Sequence, residues 1–270
     1  MKVNFYSVPK RIESTMSPQN YSSLSGQTAV VTGSSSGIGR VIALELARAG
    51  ADVLVHARRN EAGANEVADA IRSLGRESRV VMADLSEPAE QDRLVEAAWS
   101  WRAPDVWINN AGADVLTGTA ANWPFEEKLS ALWQVDVVAT LRISRAVGQR
   151  MKQRGKGAIV NMGWDQVETG MAGESGELFG AAKGAVMGAT RSLAKSLAPE
   201  VRVNCLAPGW IRTAWGQQAS DEWQDRARRE SLLGRWGEPE DVARVACFLA
   251  SPAAEFVNGQ IIHINGGRSG

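Results

Sequence analysis

A lysine at position 183 lies in the stretch FGAAKGAV, with Phe179 four residues before it. On a helix these two side chains share a face, one turn apart. A lysine ammonium beside a reacting group can offset a developing negative charge. Phenylalanine has no ionisable proton. Tyr6 and Tyr21 are the only tyrosines of the chain, so none lies near this segment in sequence. The carboxylates that could move a proton instead are Asp136, inside the apolar run LWQVDVVATL, and Asp165, in NMGWDQ. Aspartate is a poor mid-helix residue, and if buried it needs a partner. Lys183 is the natural one, and a purely structural ion pair between two helices would look the same. Glu168, Glu174 and Glu177 precede or open the same helix, where acidic groups ordinarily complement the helix dipole.

A second chemical stretch is TGSSSGIG, Thr32 to Gly39, directly after the apolar TAVVT. Glycines there permit a tight turn and close approach of backbone to a pyrophosphate, and the following helix start supplies free N–H groups. Gly33, Ser35, Ser36, Gly37, Ile38 and Gly39 are the expected contacts. The second apolar run ends His56-Ala57-Arg58-Arg59, with no carboxylate at its tip. An acidic tip would bind a ribose 2′-hydroxyl, whereas a guanidinium fits a 2′-phosphate. This favours NADP(H) over NAD(H), with Arg58 and Arg59 as contacts. Two solvated surface arginines are the plainer alternative.

These groups need a scaffold, and the apolar periodicity supplies one. Short apolar runs at 28–32, 52–57, 79–85, 105–112, 157–163, 201–209 and 260–266 read as buried strands. Helical patterns fill 37–50, 60–75, 87–101, 125–152 and 176–198, and two more follow. Buried strands alternating with helices imply an α/β class with a doubly wound parallel sheet, helices on both faces, in a single domain. Residues 1–24 read as a poorly ordered N-terminal arm and 25–270 as the dinucleotide-binding domain.

The chain carries 30 basic and 30 acidic residues among 270, a net charge of zero. That gives no electrostatic reason to expect nucleic acid or an anionic membrane. No signal-peptide core or membrane-length apolar run is visible, so the expected location is cytoplasmic. Cys205 and Cys247 lie in apolar segments and read as buried free thiols, with no metal site implied.

With TGSSSGIG, ADL (83–85), NNAG (109–112), the AAK segment, VRVNCLAPGWIRT (201–213) and NGQIIHINGG (258–267) in this order, the chain resembles the short-chain dehydrogenase/reductase family from Leu24 to Gly267. The resemblance implies a seven-stranded Rossmann sheet and a bound nicotinamide dinucleotide. It puts Asp84 and Leu85 at the adenine, and Asn110, Ala111 and Gly112 behind the cofactor. Lys183 would meet the nicotinamide ribose, with Pro208, Gly209, Ile211 and Thr213 around the nicotinamide. It implies a substrate lid at about 210–236. It also implies a homodimer or homotetramer, packed through the helices at 125–152 and 176–198. The family's usual acid is a tyrosine four residues before the lysine, where this chain has Phe179. Asp136 stands where a relay asparagine is usual, and Trp164 or its neighbours where a serine is usual. Asp136 with Lys183 also resembles a subset of the family, peroxisomal-type 2,4-dienoyl-CoA reductases, in which an aspartate–lysine–water relay protonates carbon.

Trp164, Trp210 and Trp215, with Phe179, offer large apolar area for a substrate, although loop packing explains such rings equally well. The expected protein is an oxidoreductase acting on an apolar carbonyl, enone or enoyl thioester, with Lys183, Asp136 and Asp165 as its acid/base set. A nucleotide-binding pseudoenzyme, serving as redox sensor or partner subunit, and lyase or isomerase chemistry on the same scaffold are the alternatives.

Overall fold

The computed structural model describes residues 22–268. Most of the expected arm therefore lies outside the described residues. Its last residue, Leu24, is fully buried, and its N–H donates to the Ala49 carbonyl at 2.8 Å. The core thus begins one residue earlier than the composition break suggests.

Seven strands form the sheet: β1 (Thr28–Val31), β2 (Asp52–Ala57), β3 (Ser78–Met82), β4 (Val106–Asn109), β5 (Gly157–Met162), β6 (Val201–Pro208) and β7 (Ile261–Ile264). Their order is β3-β2-β1-β4-β5-β6-β7, and every pairing is parallel. The order reverses between β1 and β4, which opens a crevice at the carboxyl ends of those strands. The helices are α1 (Gly37–Arg48), α2 (Glu61–Ser73), α3 (Pro88–Trp101), α4 (Phe125–Leu132), α5 (Thr140–Arg154), α6 (Glu174–Leu197), α7 (Ala214–Gln218), α8 (Asp221–Glu230) and α9 (Pro239–Ala250).

Both sheet faces are covered. Ile42 and Leu46 of α1, Val67 and Ile71 of α2, and Val242 and Leu249 of α9 pack on one face with Val31 and Ile108. Leu94 of α3, Ile143 and Met151 of α5, and Leu197 of α6 pack on the other with Val30 and Trp107. Adjacent strand residues go to opposite faces, as the two-residue period of a strand requires. Strands buried on both sides must be apolar throughout, which is why they read as unbroken runs in the sequence.

The helix expected at 125–152 is interrupted. Between α4 and α5 the chain forms a π-helical stretch, Trp133–Ala139. Its wider turns carry Asp136 and the branched Val135, Val137 and Val138, side chains that crowd a regular α-helix.

Under α5 and α6 runs a buried polar chain. Asn109 Nδ2 donates to Ser144 Oγ and to Asn161 Oδ1, both at 2.8 Å. Asn161 Nδ2 donates to Thr190 Oγ1 at 3.0 Å, and Trp107 Nε1 donates to Asn109 Oδ1 at 2.9 Å. The chain fixes the register of two helices on β4 and β5, because each polar group has its partner in the other layer. Replacing Asn161 by Ala would leave one of the two Asn109 amide N–H groups without its buried acceptor, while Ser144 and Trp107 keep the rest of that side chain bonded. The expected cost is about 3 kcal/mol, read as a fall in melting temperature of roughly 6–12 °C.

Candidate active site

The glycine-rich loop leaves β1 and opens α1 at the crevice. Gly33 has φ +65°, and a Cβ there would sit 2.9 Å from Ala111 Cα. A Cβ on Gly39 would be 2.3 Å from the Gly33 carbonyl oxygen. The glycines therefore let the loop, the helix start and the end of β4 touch. Ser36 precedes α1 in extended conformation without capping it through its side chain. The first-turn N–H groups, Gly37, Ile38 and Gly39 among them, thus keep no side-chain acceptor, which suits an incoming phosphate.

Two residues brace this loop. Asn110 Nδ2 donates to the carbonyls of Thr32 and Gly33 at 2.9 and 3.1 Å. The sequence marks His56 only as part of the β2 tip. Its Nδ1 accepts the Gly33 N–H at 3.0 Å, and its Nε2 lies 3.0 Å from the Ala83 carbonyl. Nδ1 must therefore be the bare nitrogen and Nε2 the donor, a neutral ring. Burial lowers the His56 pKa to about 4.

Arg58 and Arg59 are exposed and make no ion pair among the described residues, so both guanidiniums are free for a phosphate. Asp84 lies nearby and accepts from Ser86 N–H and Oγ at 3.0 and 2.8 Å. Burial pushes its carboxyl up, but the Ser86 bonds and the charges of Arg58 and Arg59 outweigh it and leave the pKa below the usual range. These groups fit a 2′-phosphorylated dinucleotide. Leu85 is a correction: its side chain is 5% exposed and packs in the core with Leu94, so at most its backbone faces a ligand.

At the carboxyl ends of β4, β5 and β6 lies a cleft of about 310 Å³. The expected residues Ile38, Asn110, Trp164, Phe179, Lys183, Pro208, Gly209, Trp210, Ile211 and Thr213 all line it. Trp164 and Phe179 meet edge to face, centroids 6.2 Å apart. Lys183 Nζ is 2.7 Å from Asp136 Oδ2, whose side chain is 1% exposed. Asp136 Oδ1 accepts the Ala113 N–H at 2.8 Å. A Cβ on Gly112 would stand 2.9 Å from Asp136 Oδ2, so glycine there makes room for the carboxylate. Met162, Met171, Leu116 and Ser175 also line the cleft and were not foreseen. Ser175 was findable, since it continues the four-residue spacing of Phe179 and Lys183 by one more turn.

Asp165 is a second correction. It is buried, but it does not line the cleft. Its Oδ2 accepts from Asn265 Nδ2 at 3.2 Å, on the β7 side, and its Oδ1 has no partner. Burial raises its pKa, which the Asn265 bond and the charges of Arg268 and His263 only partly offset. The turn after β5 sends consecutive side chains apart, Trp164 into the cleft and Asp165 behind Gly209. Glu174 pairs with Lys128 at 2.7 Å, and Glu168 lies 3.9 Å from His263, so neither joins the cleft. Trp123 is 40% exposed and outside it. The backbone of Trp215 lies in α7; its side chain is outside what the structure describes.

The segment expected to form a lid is held by tryptophan and arginine. Trp210 Nε1 donates to Glu230 Oε2 at 2.8 Å. Arg226 binds Glu230 at 2.7 Å and lies over the rings of Trp223 and Trp210, 4.9 and 5.6 Å from their centroids. Among the described residues, no helix is long and apolar enough to cross a membrane.

The sequence model of the enoyl-(acyl carrier protein) reductase family matches residues 33–269. The 3-oxoacyl-(acyl carrier protein) reductase FabG of Vibrio cholerae is 33% identical over 246 residues, 90% of this chain and 98% of that protein. The NADP-bound structure of a 3-oxoacyl-(acyl carrier protein) reductase from Agrobacterium tumefaciens superposes with TM-score 0.85 at 30% identity, covering 95% of this chain and all of the other. A 7α-hydroxysteroid dehydrogenase complexed with NADH and a 7-oxo bile acid conjugate gives TM-score 0.85 at 29% identity, covering 94% and 98%.

The neutral His56 ring makes a pH prediction. Its folded pKa, about 4, lies below the unfolded value of 6.5. The unfolded chain therefore binds the extra proton between these values, and stability is complete above pH 6.5 and falls towards pH 4. The loss should reach roughly 3 kcal/mol. Urea unfolding at pH 7 and pH 4.5 reads it, and His56→Gln should flatten the slope.

Proposed function

The chain belongs to the short-chain dehydrogenase/reductase family, and from that premise we propose that it is an NADP(H)-dependent oxidoreductase without a tyrosine acid. Its substrate is an apolar carbonyl, conjugated enone or enoyl thioester. The observation that carries this reading is the pair Lys183–Asp136, 2.7 Å apart at the wall of a largely apolar cleft. Phe179 occupies the position one turn before Lys183 and lends the cleft only a ring. The bound nicotinamide would supply a hydride donor or acceptor. The glycine loop, Arg58, Arg59 and Asp84 would hold the nucleotide end, and Lys183 the nicotinamide ribose.

Proton handling then falls to the ammonium of Lys183. Asp136 aims that ammonium and balances its charge, so the cleft gains no net charge from the pair. A water reaching Lys183 would complete the relay from solvent. The rings of Trp164 and Phe179 and the thioethers of Met162 and Met171 line the same cleft, so a substrate seated against them would displace water and strengthen each remaining electrostatic contact. We propose a homo-oligomer packed through α5 and α6, in which the small residues Gly180, Ala181 and Gly188 allow close approach. Ala182, on the same helix, is fully buried within its own chain.

NADPH oxidation should be measured against ketones and enoyl thioesters. Lys183→Ala should lower kcat/KM by about 100-fold or more, and Asp136→Asn by about 10-fold to 100-fold. Turnover indifferent to both would reject the assignment. Arg58→Ala with Arg59→Ala should weaken NADPH binding about 10-fold or more and leave NADH unchanged. Equal losses would reject the 2′-phosphate role. A second reading, dinucleotide binding without turnover, is favoured by the protonless Phe179 ring in the cleft. Tight NADPH binding with no oxidation of any acceptor would select it.

A further inference from the structure

Besides the indole N–H groups of Trp164 and Trp210, the cleft is lined by few polar side chains: Asn110, Ser175, Lys183 and Thr213. Asn110 spends its amide nitrogen on Thr32 and Gly33. Lys183 is paired with Asp136. Thr213 stands at the nucleotide loop, its Cγ2 4.0 Å from where a Gly37 Cβ would be. Ser175 alone lies at the other end, past the Phe179 ring, and its hydroxyl makes no hydrogen bond to the described residues.

Its place is built. Ser175, Phe179 and Lys183 are spaced by four residues along α6 and line the cleft together. They present a hydroxyl, a ring and an ammonium over about 12 Å of helix. Both neighbours of Ser175 are anchored. Glu174 binds the largely buried Lys128 of α4 at 2.7 Å. Gly176 is buried against the Met171 carbonyl, so close that a Cβ could not fit. Ser175 is therefore held while its own oxygen stays uncommitted, half-buried beside Met171 and two turns from the ammonium.

We propose that Ser175 is the specificity-determining residue of the cleft. It reads a hydrogen-bonding group at the far end of an uncharged substrate with an apolar body. The reacting carbon of that substrate lies at the Lys183 end and its apolar body against Trp164 and Phe179. No net charge is offered to the substrate, because the one charged lining residue is neutralised by Asp136. The inference rests on the oxidoreductase reading for which end reacts, and on the cleft geometry alone for what binds.

The test uses the whole protein and two probes, 6-hydroxy-1-tetralone and 6-methyl-1-tetralone, alike in shape and differing in one polar group. Binding is followed by tryptophan fluorescence in the presence of NADP, and turnover by NADPH oxidation. The wild type should bind the hydroxy probe about 5-fold to 10-fold more tightly. Ser175→Ala should erase that preference and leave the methyl probe within about 2-fold, since alanine favours the helix and removes only the oxygen. Ser175→Thr should keep part of the preference. The change should fall on KM and spare kcat.

If Ser175→Ala weakens both probes alike, or neither, or if neither probe binds, the proposal is overturned. Turnover of both probes without discrimination overturns it and leaves the oxidoreductase reading standing. Discrimination in binding with no turnover supports it and removes that reading instead.

Discussion

One buried ion pair organises the site. The carboxylate of Asp136 and the ammonium of Lys183 lie 2.7 Å apart, the former almost wholly out of water. An unpaired charge there would cost several kcal/mol, so each residue makes the other tolerable. Around that pair three segments are obliged to meet. The π-helical stretch before α5 delivers the carboxylate, α6 delivers the lysine, and the end of β4 supplies the Ala113 N–H and the Gly112 gap. A side chain at 112 would press on the carboxylate. The identity of a loop glycine thus follows from an electrostatic need on another element.

The nucleotide end follows the same logic with neutral groups. His56 and Asn110 approach the glycine loop from β2 and β4 and satisfy its amide and carbonyl groups. With those groups already bonded, the loop is held open before anything binds. Preorganisation of this kind removes part of the ordering cost of binding. The two arginines beyond β2 stay uncommitted, which leaves their bonding capacity for a ligand. Below, the Asn109–Asn161–Thr190 chain sets the register of the helices that carry the ion pair. Helix register matters here because a shift of one residue would rotate Lys183 out of the cleft by about 100°.

Much of the fold was legible in advance because its causes are local. A strand covered by helices on both faces must be apolar at every position, and the seven runs show it. The glycine loop announced itself through a spacing that only a strand–turn–helix needs. Tertiary effects account for the departures. The 125–152 pattern is periodic enough for one helix, yet burial of Asp136 among branched residues comes with a π turn. Leu85 lies in a motif associated with the cofactor but faces the core. His56 reads as an ordinary strand residue, since its partners Gly33 and Ala83 come from other parts of the chain.

The proton question shows the division most clearly. From the residues alone, Phe179 excludes tyrosine chemistry, Lys183 and Asp136 are apt partners, and Asp165 stands beside them as a further candidate. Residue type and order determine that much, because a benzyl ring has no proton in any fold. Only the tertiary structure separates the two aspartates. Asp136 reaches Lys183 because the π stretch and α6 pack side by side, while Asp165 turns behind Gly209 towards β7. The difference is one of side-chain direction after a strand end, and direction is set by what packs on either side. The same packing turned an unremarked serine two helical turns from the lysine into the one free hydroxyl at the far end of the cleft, among the described residues.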